Sequence, residues 1–346
     1  MLNLVTTSAD ASTFRTSVSL KLREFAERQA SFLAEIDENA AELAAHALSF
    51  TEGGKLLRPT FCHAGWLIAG GTQSAERIVT AAAAFEWLQA SALVHDDLMD
   101  ESDTRRGRPS VHREHEARHR AHNLVGDAVQ HGERVAVLLG DLLLSWADEL
   151  FAESQPDQRS LHFWSRCKSE VIAGQYLDVL AQTSARLTVE DALRVVRFKS
   201  AKYTIERPLH VGASLAGASD DVLDALSDVA LPLGEAFQLR DDLLGVYGDP
   251  QATGKPAGDD LREGKRTVLV AHAAELGDPE LIYSLLGTEA GAEKLGPLFR
   301  EWGAVEATEA DIARLEAQTD EAIDRLGRDA RAILEPLVAK TIHRNR

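Results

Sequence analysis

The stretch Asp221–Tyr247, DVLDALSDVALPLGEAFQLRDDLLGVY, decides the fold class, because its apolar residues return at intervals of three and four throughout. That spacing stacks them along one side of an α-helix, whereas a half-buried strand would need strict alternation. The same interval runs through Ser19–Ile36, SLKLREFAERQASFLAEI, and Ala136–Phe151, AVLLGDLLLSWADELF, and no convincing strand-like alternation stands against it. The expectation is an all-α protein. Glycine and proline punctuate at TEGGKLLRP, AGGTQS, RRGRPSV, ESQPDQ, GDPQATGKPAGDD and ELGDPE, marking turns between about ten or more helices with short connections. No Ser/Gly linker, charge-run boundary or internal repeat divides the chain, so residues 1–346 read as one large helical domain with its first residues loose.

Composition narrows the function classes. The formal net charge of −18 disfavours a general affinity for nucleic acid or anionic membranes, since those polyanions reward clustered Lys and Arg. Cys62 and Cys167 are too few and too far apart for a disulfide framework and read as reduced thiols. The start, MLNLVTTSADAS, lacks the basic and apolar regions of a signal peptide, and the longest apolar run, TAAAAFEWLQASALV, is interrupted by Glu86 and Gln89. That run falls short of the ~20 apolar residues a membrane span needs, and the expected location is cytoplasmic.

Two acidic clusters interrupt this apolar background. In Leu93–Gly107, LVHDDLMDESDTRRG, Asp96 and Asp100 lie one turn apart on one helical face with Asp97 beside them. The preceding FEWLQASALVHDD is apolar on almost every side, which implies a buried helix, and bare carboxylates at its end would be costly. The second cluster, FQLRDDLLGVYGD, carries Asp241 and Asp242. Carboxylate pairs at ~6 Å repel by about 3 kcal/mol at an effective dielectric near 20, so a shared cation is the economical explanation, and all-oxygen ligands suit Mg²⁺. Basic residues sit on turns around both clusters: Lys55 and Arg58 in GGKLLRP, Arg105 and Arg106 after the first cluster, Lys199 and Lys202 in FKSAKYTIERP, and Lys255, Lys265 and Arg266 in TGKPAGDDLREGKRT. Carboxylates and cations together are the pattern expected for a diphosphate, with metal bridging carboxylate to phosphate and Lys or Arg holding the remaining oxygens.

Five blocks in order, GGKLLRP, LQASALVHDDLMDESDTRRGRPSVH, GQYLDV, KSAKYT and FQLRDDLLGVYGDPQATGKPAGDDLREGKRT, resemble the trans-isoprenyl diphosphate synthases, all-α prenyltransferases that make farnesyl, geranylgeranyl and longer diphosphates. The resemblance implies a single helical bundle with a central diphosphate and magnesium cavity, and a homodimer. It implies that Asp96 and Asp100 bind two Mg²⁺ ions with Asp97 in support, and that Asp241, beside Asp242, binds a third. Arg105, Lys199 and Lys255 would grip the allylic diphosphate, and Lys55, Arg58, Gln89 and Arg106 would hold isopentenyl diphosphate. Ser200 and Gln238 match positions near the developing carbocation, Gln175 and Asp178 match further pocket positions, and Lys265 matches a lysine on the diphosphate. The implied mechanism is ionisation, condensation and proton loss to the released pyrophosphate, with no protein nucleophile. One departure stands out: the second motif usually reads DDxxD, but here Gly245 holds the last position, with Asp249, Asp259 and Asp260 nearby.

In this family the product grows beside the helix of the first motif, so the residues before Asp96 form a floor. Ser91 and Ala92 are small where an aromatic residue would stop growth at farnesyl, which moves the floor toward Leu88 and Trp87 and makes geranylgeranyl diphosphate the expected product. Farnesyl or longer products, a class I terpene cyclase and a non-catalytic isoprenoid-binding subunit remain the alternatives. The histidines of HREHEARHRAHN, His112, His115, His119 and His122, have the spacing of metal ligands. Without a fixed Cys or carboxylate partner, and with arginines interleaved, they read as an exposed lid or surface helix.

Overall fold

The computed structural model describes residues 8–342 apart from 52, 73–74, 185 and 250–257. Lys255 and the N-terminal residues expected to be loose lie outside the described residues. The protein is all-α, with 83% of it helical. The chain forms two compact units, one of residues 1–160 and 211–217, the other of 161–210 and 218–346.

The first unit carries α1 (Ser8–Ile36), α2 (Glu38–Thr51), α3 (Leu57–Ile68), α4 (Ala75–Met99), α5 (Val111–Ala121) and α6 (Ala128–Glu153). As its all-round apolar sequence predicts, α4 is buried along most of its length, from Ile78 to Val94. It packs on α6 at Gly140, where a Cβ would stand only 2.0 Å from His95 Nε2, so a larger residue there would displace the His95 ring. Beneath α4, Trp87 and Trp146 meet edge to face at 5.5 Å, with Phe25 against both. Burial of each such ring is worth roughly 1.5–3 kcal/mol.

The histidine-rich α5 is not the exposed lid expected from its sequence. Gly132 of α6 lies under the His112 carbonyl oxygen, 2.1 Å from where a Cβ would be, and this close approach buries His112, His115 and His119. His115 stacks near His46 and His131 in a cluster of rings, and burial first, then His46, Arg118 and His131, pull its pKa down to about 4. The alternation of histidine with arginine hid an amphipathic helix whose buried face is imidazole.

The second unit contains most of α7 (Gln158–Thr183), then α8 (Val189–Val195), a π-helical segment (Val196–Glu206), α9 (Arg207–Leu215, its last turn in the first unit) and α10 (Asp220–Tyr247). Beyond these come α11 (Asp259–Arg262), α12 (Val268–Leu276), α13 (Pro279–Leu285), α14 (Glu289–Glu301), α15 (Ala304–Leu326) and α16 (Arg328–Ile342). Side-chain caps begin α12 to α14, with Thr267, Asp278 and Thr288 accepting backbone N–H bonds. A buried ionic network ties α7 to α9: Arg207 donates to both oxygens of Glu170 at 2.6 and 2.8 Å, while Lys202 donates to Glu206 at 2.8 Å. Lys202 therefore serves structure. Both cysteines are free and buried, and no described helix is long and apolar enough to cross a membrane.

Candidate active site

In the first unit the acidic cluster sits at the end of α4. The chain then turns into a short antiparallel hairpin, Thr104–Arg105 paired with Arg108–Pro109, the only strands among the described residues. Its two-residue turn, Arg106–Gly107, has φ of +53° and +74°, the left-handed pair that a type I′ turn requires. Glycine adopts this freely, while an arginine in that region is uncommon and marks strain stored at a site. The hairpin brings Arg105 back onto α4. Its Nε donates to Asp97 Oδ1 at 2.8 Å, its Nη2 bonds the same oxygen, and Nη2 lies 3.6 Å from Asp96 Oδ2. Asp97 is only 1% exposed, so the guanidinium compensates a carboxylate that would otherwise be buried alone. Both Asp100 oxygens are shielded from water as well.

A second group of cations surrounds Glu86, which sequence reasoning met only as a break in an apolar run. Glu86 is 5% exposed; burial raises its pKa, opposed by the positive charges of Arg58, Arg106 and Arg15. Arg106 donates from Nη1 to the Phe50 carbonyl at 3.1 Å. Partial loss of water lowers its pKa, Glu86 opposes that shift, and Arg105 and Arg58 add to it. Gly54 sits between these groups, with the place of a Cβ 3.5 Å from Glu86 Oε2 and 3.6 Å from Arg106 Nη2. The GGKLLRP turn uses left-handed Gly53 and Leu56 to enter α3, leaving Lys55 exposed and Arg58 half-buried. A lone acid on a helix apolar all round is the signal that could have found Glu86, because such a group needs a buried partner. Gln89 is half-buried two turns before Asp96, Ser91 is buried and Ala92 half-buried, while Leu88 and Trp87 belong to the core.

In the second unit, Gly174 of the GQYLDV block lets α7 touch the π-helical segment, since a Cβ there would lie 2.4 Å from the Lys199 backbone nitrogen. This approach sets Lys199 Nζ 2.6 Å from Asp178 Oδ2. π-Helical turns recur at functional sites because they re-aim side chains within a helix. Here the segment buries Ser200 and Thr204 and leaves Lys199 half-exposed; Gln175 is half-buried on α7. On α10, Gln238 donates from Nε2 to Asp242 Oδ1 at 2.9 Å. Asp242 is 5% exposed, and burial holds its carboxyl well above the usual carboxylate range; Gln238 opposes this, while the charges of Asp260, Asp241 and Asp178 raise it further. Asp241, on the adjoining face, is exposed. Lys265 Nζ lies 2.6 Å from Glu263 Oε2 and 3.6 Å from Asp260 Oδ1.

The polyprenyl synthetase family model matches residues 40–296. The geranylfarnesyl diphosphate synthase of Aeropyrum pernix is 34% identical over 250 residues, 70% of this chain and 73% of that protein. The geranylgeranyl diphosphate synthase of Sulfolobus acidocaldarius is 32% identical over 254 residues, 71% of each. Among solved structures, the geranylgeranyl pyrophosphate synthase of Corynebacterium glutamicum, complexed with isoprenyl diphosphate and magnesium, superposes with a TM-score of 0.91 at 41% identity. That likeness covers 96% of this chain and 98% of the other.

Proposed function

We infer the reaction from one premise: the chain belongs to the polyprenyl synthetase family and is an isoprenyl diphosphate synthase, a trans-prenyltransferase. We propose that it condenses isopentenyl diphosphate with an allylic diphosphate in a magnesium-dependent reaction and that geranylgeranyl diphosphate is its main product. The observation that carries the metal reading is the charge around Asp242, a buried carboxyl with Asp241, Asp260 and Asp178 all near enough to disfavour its ionisation. A divalent cation relieves that arrangement, and the donors are the hard oxygens that magnesium takes. Asp96, Asp100 and Asp241 are the proposed ligands, with Asp97 and Asp242 behind them. What magnesium supplies, when bound, is neutralisation of the departing pyrophosphate.

The remaining work falls to side chains of this chain. Arg105 and Lys199, with Lys255, hold the allylic diphosphate; Asp97 and Asp178 keep the first two oriented until a phosphate competes for them. Lys55, Arg58, Gln89 and Arg106 hold isopentenyl diphosphate, with Glu86 restraining the arginines. Lys265 adds a further contact to diphosphate. Ser200 and Gln238 present uncharged dipoles that stabilise the allylic cation without trapping it, and Gln175 lines the pocket with them. The isopentenyl double bond attacks that cation, and the resulting tertiary cation loses a proton to pyrophosphate. Exclusion of water protects both cations.

Ser91 and Ala92 support the product length, since their small side chains leave room for growth toward Leu88 and Trp87. We also propose that the two units work as one catalytic domain and that the protein is a homodimer; α6 leaves the neighbours Val137 and Leu138 exposed, apolar side chains a second copy would cover. The test is an assay of purified protein with Mg²⁺, isopentenyl diphosphate and dimethylallyl, geranyl or farnesyl diphosphate, followed by product chain length. A C20 product supports the reading. No elongation with any starter overturns it, and a hydrocarbon formed without isopentenyl diphosphate would make the protein a cyclase.

A further inference from the structure

The π-helical segment Val196–Glu206 carries Lys199 and Ser200, and its wide register needs a cause, because such bonding rarely persists beyond a single turn. The chain supplies part of the cause. Arg207 N donates to the Lys202 carbonyl, five residues back, and Pro208 follows with no N–H to return the ladder to its α register. The rest comes from α7, where Glu170, Gly174 and Asp178 are spaced by four and form one stripe. Asp178 accepts from Lys199 Nζ at 2.6 Å. Gly174 admits the backbone of residues 198 and 199, the place of its Cβ lying 2.6 Å from the Phe198 carbonyl carbon. Glu170 accepts from Nε and Nη2 of Arg207 at 2.6 and 2.8 Å, a two-point hold that fixes direction as well as distance. Lys202 Nζ lies 3.9 Å from the same carboxylate. Arg207 Nη1 donates onward to His210 Nδ1 at 3.0 Å, so the imidazole proton stands on Nε2, which faces the Leu223 carbonyl of α10 at 3.1 Å. The side chains of Glu170, Lys202, Glu206 and Arg207 are each at most 14% exposed, and burying four charges is a poor way to gain stability alone.

We propose that Glu170, through its two-point hold on Arg207, is a positioning residue for prenyl transfer: it pins the C-terminal end of the π-helical segment to α7 and so fixes where Lys199 points. The proposal rests on the reading of Lys199 as a residue that binds the allylic diphosphate. When that phosphate competes for Lys199, the bond to Asp178 is given up, and Gly174 and Glu170 are the members of the stripe that still hold the segment. Without the hold on Arg207 the segment is free to relax toward the α register, and each residue of slip turns its side chains by about 100°.

The test uses the full-length protein with Mg²⁺ and whichever of geranyl and farnesyl diphosphate the wild type elongates. Calorimetric titration without isopentenyl diphosphate gives the affinity for that starter with no turnover, and steady-state rates give KM for isopentenyl diphosphate. Glu170→Gln is expected to bind the starter about tenfold less tightly, the scale on which misplaced binding groups act. The double variant Glu170→Gln with Arg207→Gln is expected to do the same; it removes both charges together, leaves Lys202 and Glu206 balanced, and carries the test where the single variant fails to fold. KM for isopentenyl diphosphate is expected to stay unchanged, because Lys55, Arg58, Gln89 and Arg106 belong to the other unit. In a Lys199→Gln background, Glu170→Gln is expected to add little, since both act on one contact. Glu190→Gln, which removes an exposed partner of Arg194 on α8, is the control and is expected to change nothing. Circular dichroism confirms that each variant is folded. Unchanged starter affinity in a folded Glu170 variant, an equal loss for isopentenyl diphosphate, or a full further loss in the Lys199→Gln background overturns the proposal. If Lys199→Gln alone binds the starter weakly, each of those results leaves the reading of Lys199 standing; wild-type affinity in Lys199→Gln overturns both.

Discussion

The two acidic helices handle the same problem in opposite ways. At the end of α4, Asp97 is buried and answered within the chain by Arg105, delivered by a hairpin whose turn forces an arginine into the left-handed region. On α10, Asp242 is buried to a similar degree, yet its neighbours include three further carboxylates and its direct partner is the neutral amide of Gln238. The buried carboxylate of the first helix is answered by a charge, and that of the second by a neutral amide. Two Asp-Asp pairs that look alike in sequence thus differ in how their second carboxylate is met.

The contrast is most exposed to removal of the arginine. Arg105→Ala leaves Asp97 buried without its counter-ion and is expected to cost about 3–5 kcal/mol of stability. Asp242→Asn, which removes an unfavourably placed carboxyl, is expected to leave metal-free stability unchanged or slightly raised. Urea unfolding of the two variants in EDTA measures the difference, and equal losses would erase the distinction between the helices. Catalysis should restore the symmetry: Asp96→Asn and Asp241→Asn are each expected to lower kcat by on the order of 10²–10³, since each removes charge stabilisation of the leaving pyrophosphate. Steady-state rates at saturating Mg²⁺ and substrates provide the check.

Mild acid should act on both units alike. His115 in the first unit and His210 in the second both have pKa values lowered to about 4, chiefly by burial. Below the ordinary value near 6.5 the unfolded chain takes up protons that these folded sites refuse, so their contribution is intact above that pH and declines as pH falls toward about 4. Each accounts for up to about 3 kcal/mol across that window. Thermal unfolding between pH 7.5 and 4.5 should show a falling midpoint, and a midpoint flat over that range would mean the rings are open to water.

The smallest energetic effect lies before the first cluster, where volume replaces charge. Ser91→Phe puts a ring into a buried position on α4, at a packing cost of about 1–3 kcal/mol, and is expected to shorten the main product. An unchanged product length would locate the floor away from Ser91.

Much of this was legible in the sequence. Intervals of three and four set the all-α class, and the burial of α4 followed from an apolar run with no polar face. The hairpin escaped because two-residue strands have no periodicity to read; RRGRP showed only a turn. The buried face of α5 escaped because histidine is apolar enough to pack when neutral and polar enough to look exposed in a pattern. Glu86 and Gly174 escaped for a shared reason: their roles are defined by what stands opposite, Arg58 and Arg106 in one case and the Lys199 backbone in the other.

By itself the sequence determined the helical class, the family, and the residue types available to bind metal and diphosphate, because those depend on local periodicity and on short ordered motifs. Only the tertiary structure decided which carboxylates are compensated and which are not. Asp97 and Asp242 are each the second residue of an Asp-Asp pair, and the difference between them is a guanidinium brought back by one hairpin on one side and a neutral amide with further carboxylates nearby on the other. Such distances are set by packing between segments, and electrostatic energy follows distance and burial rather than order along the chain.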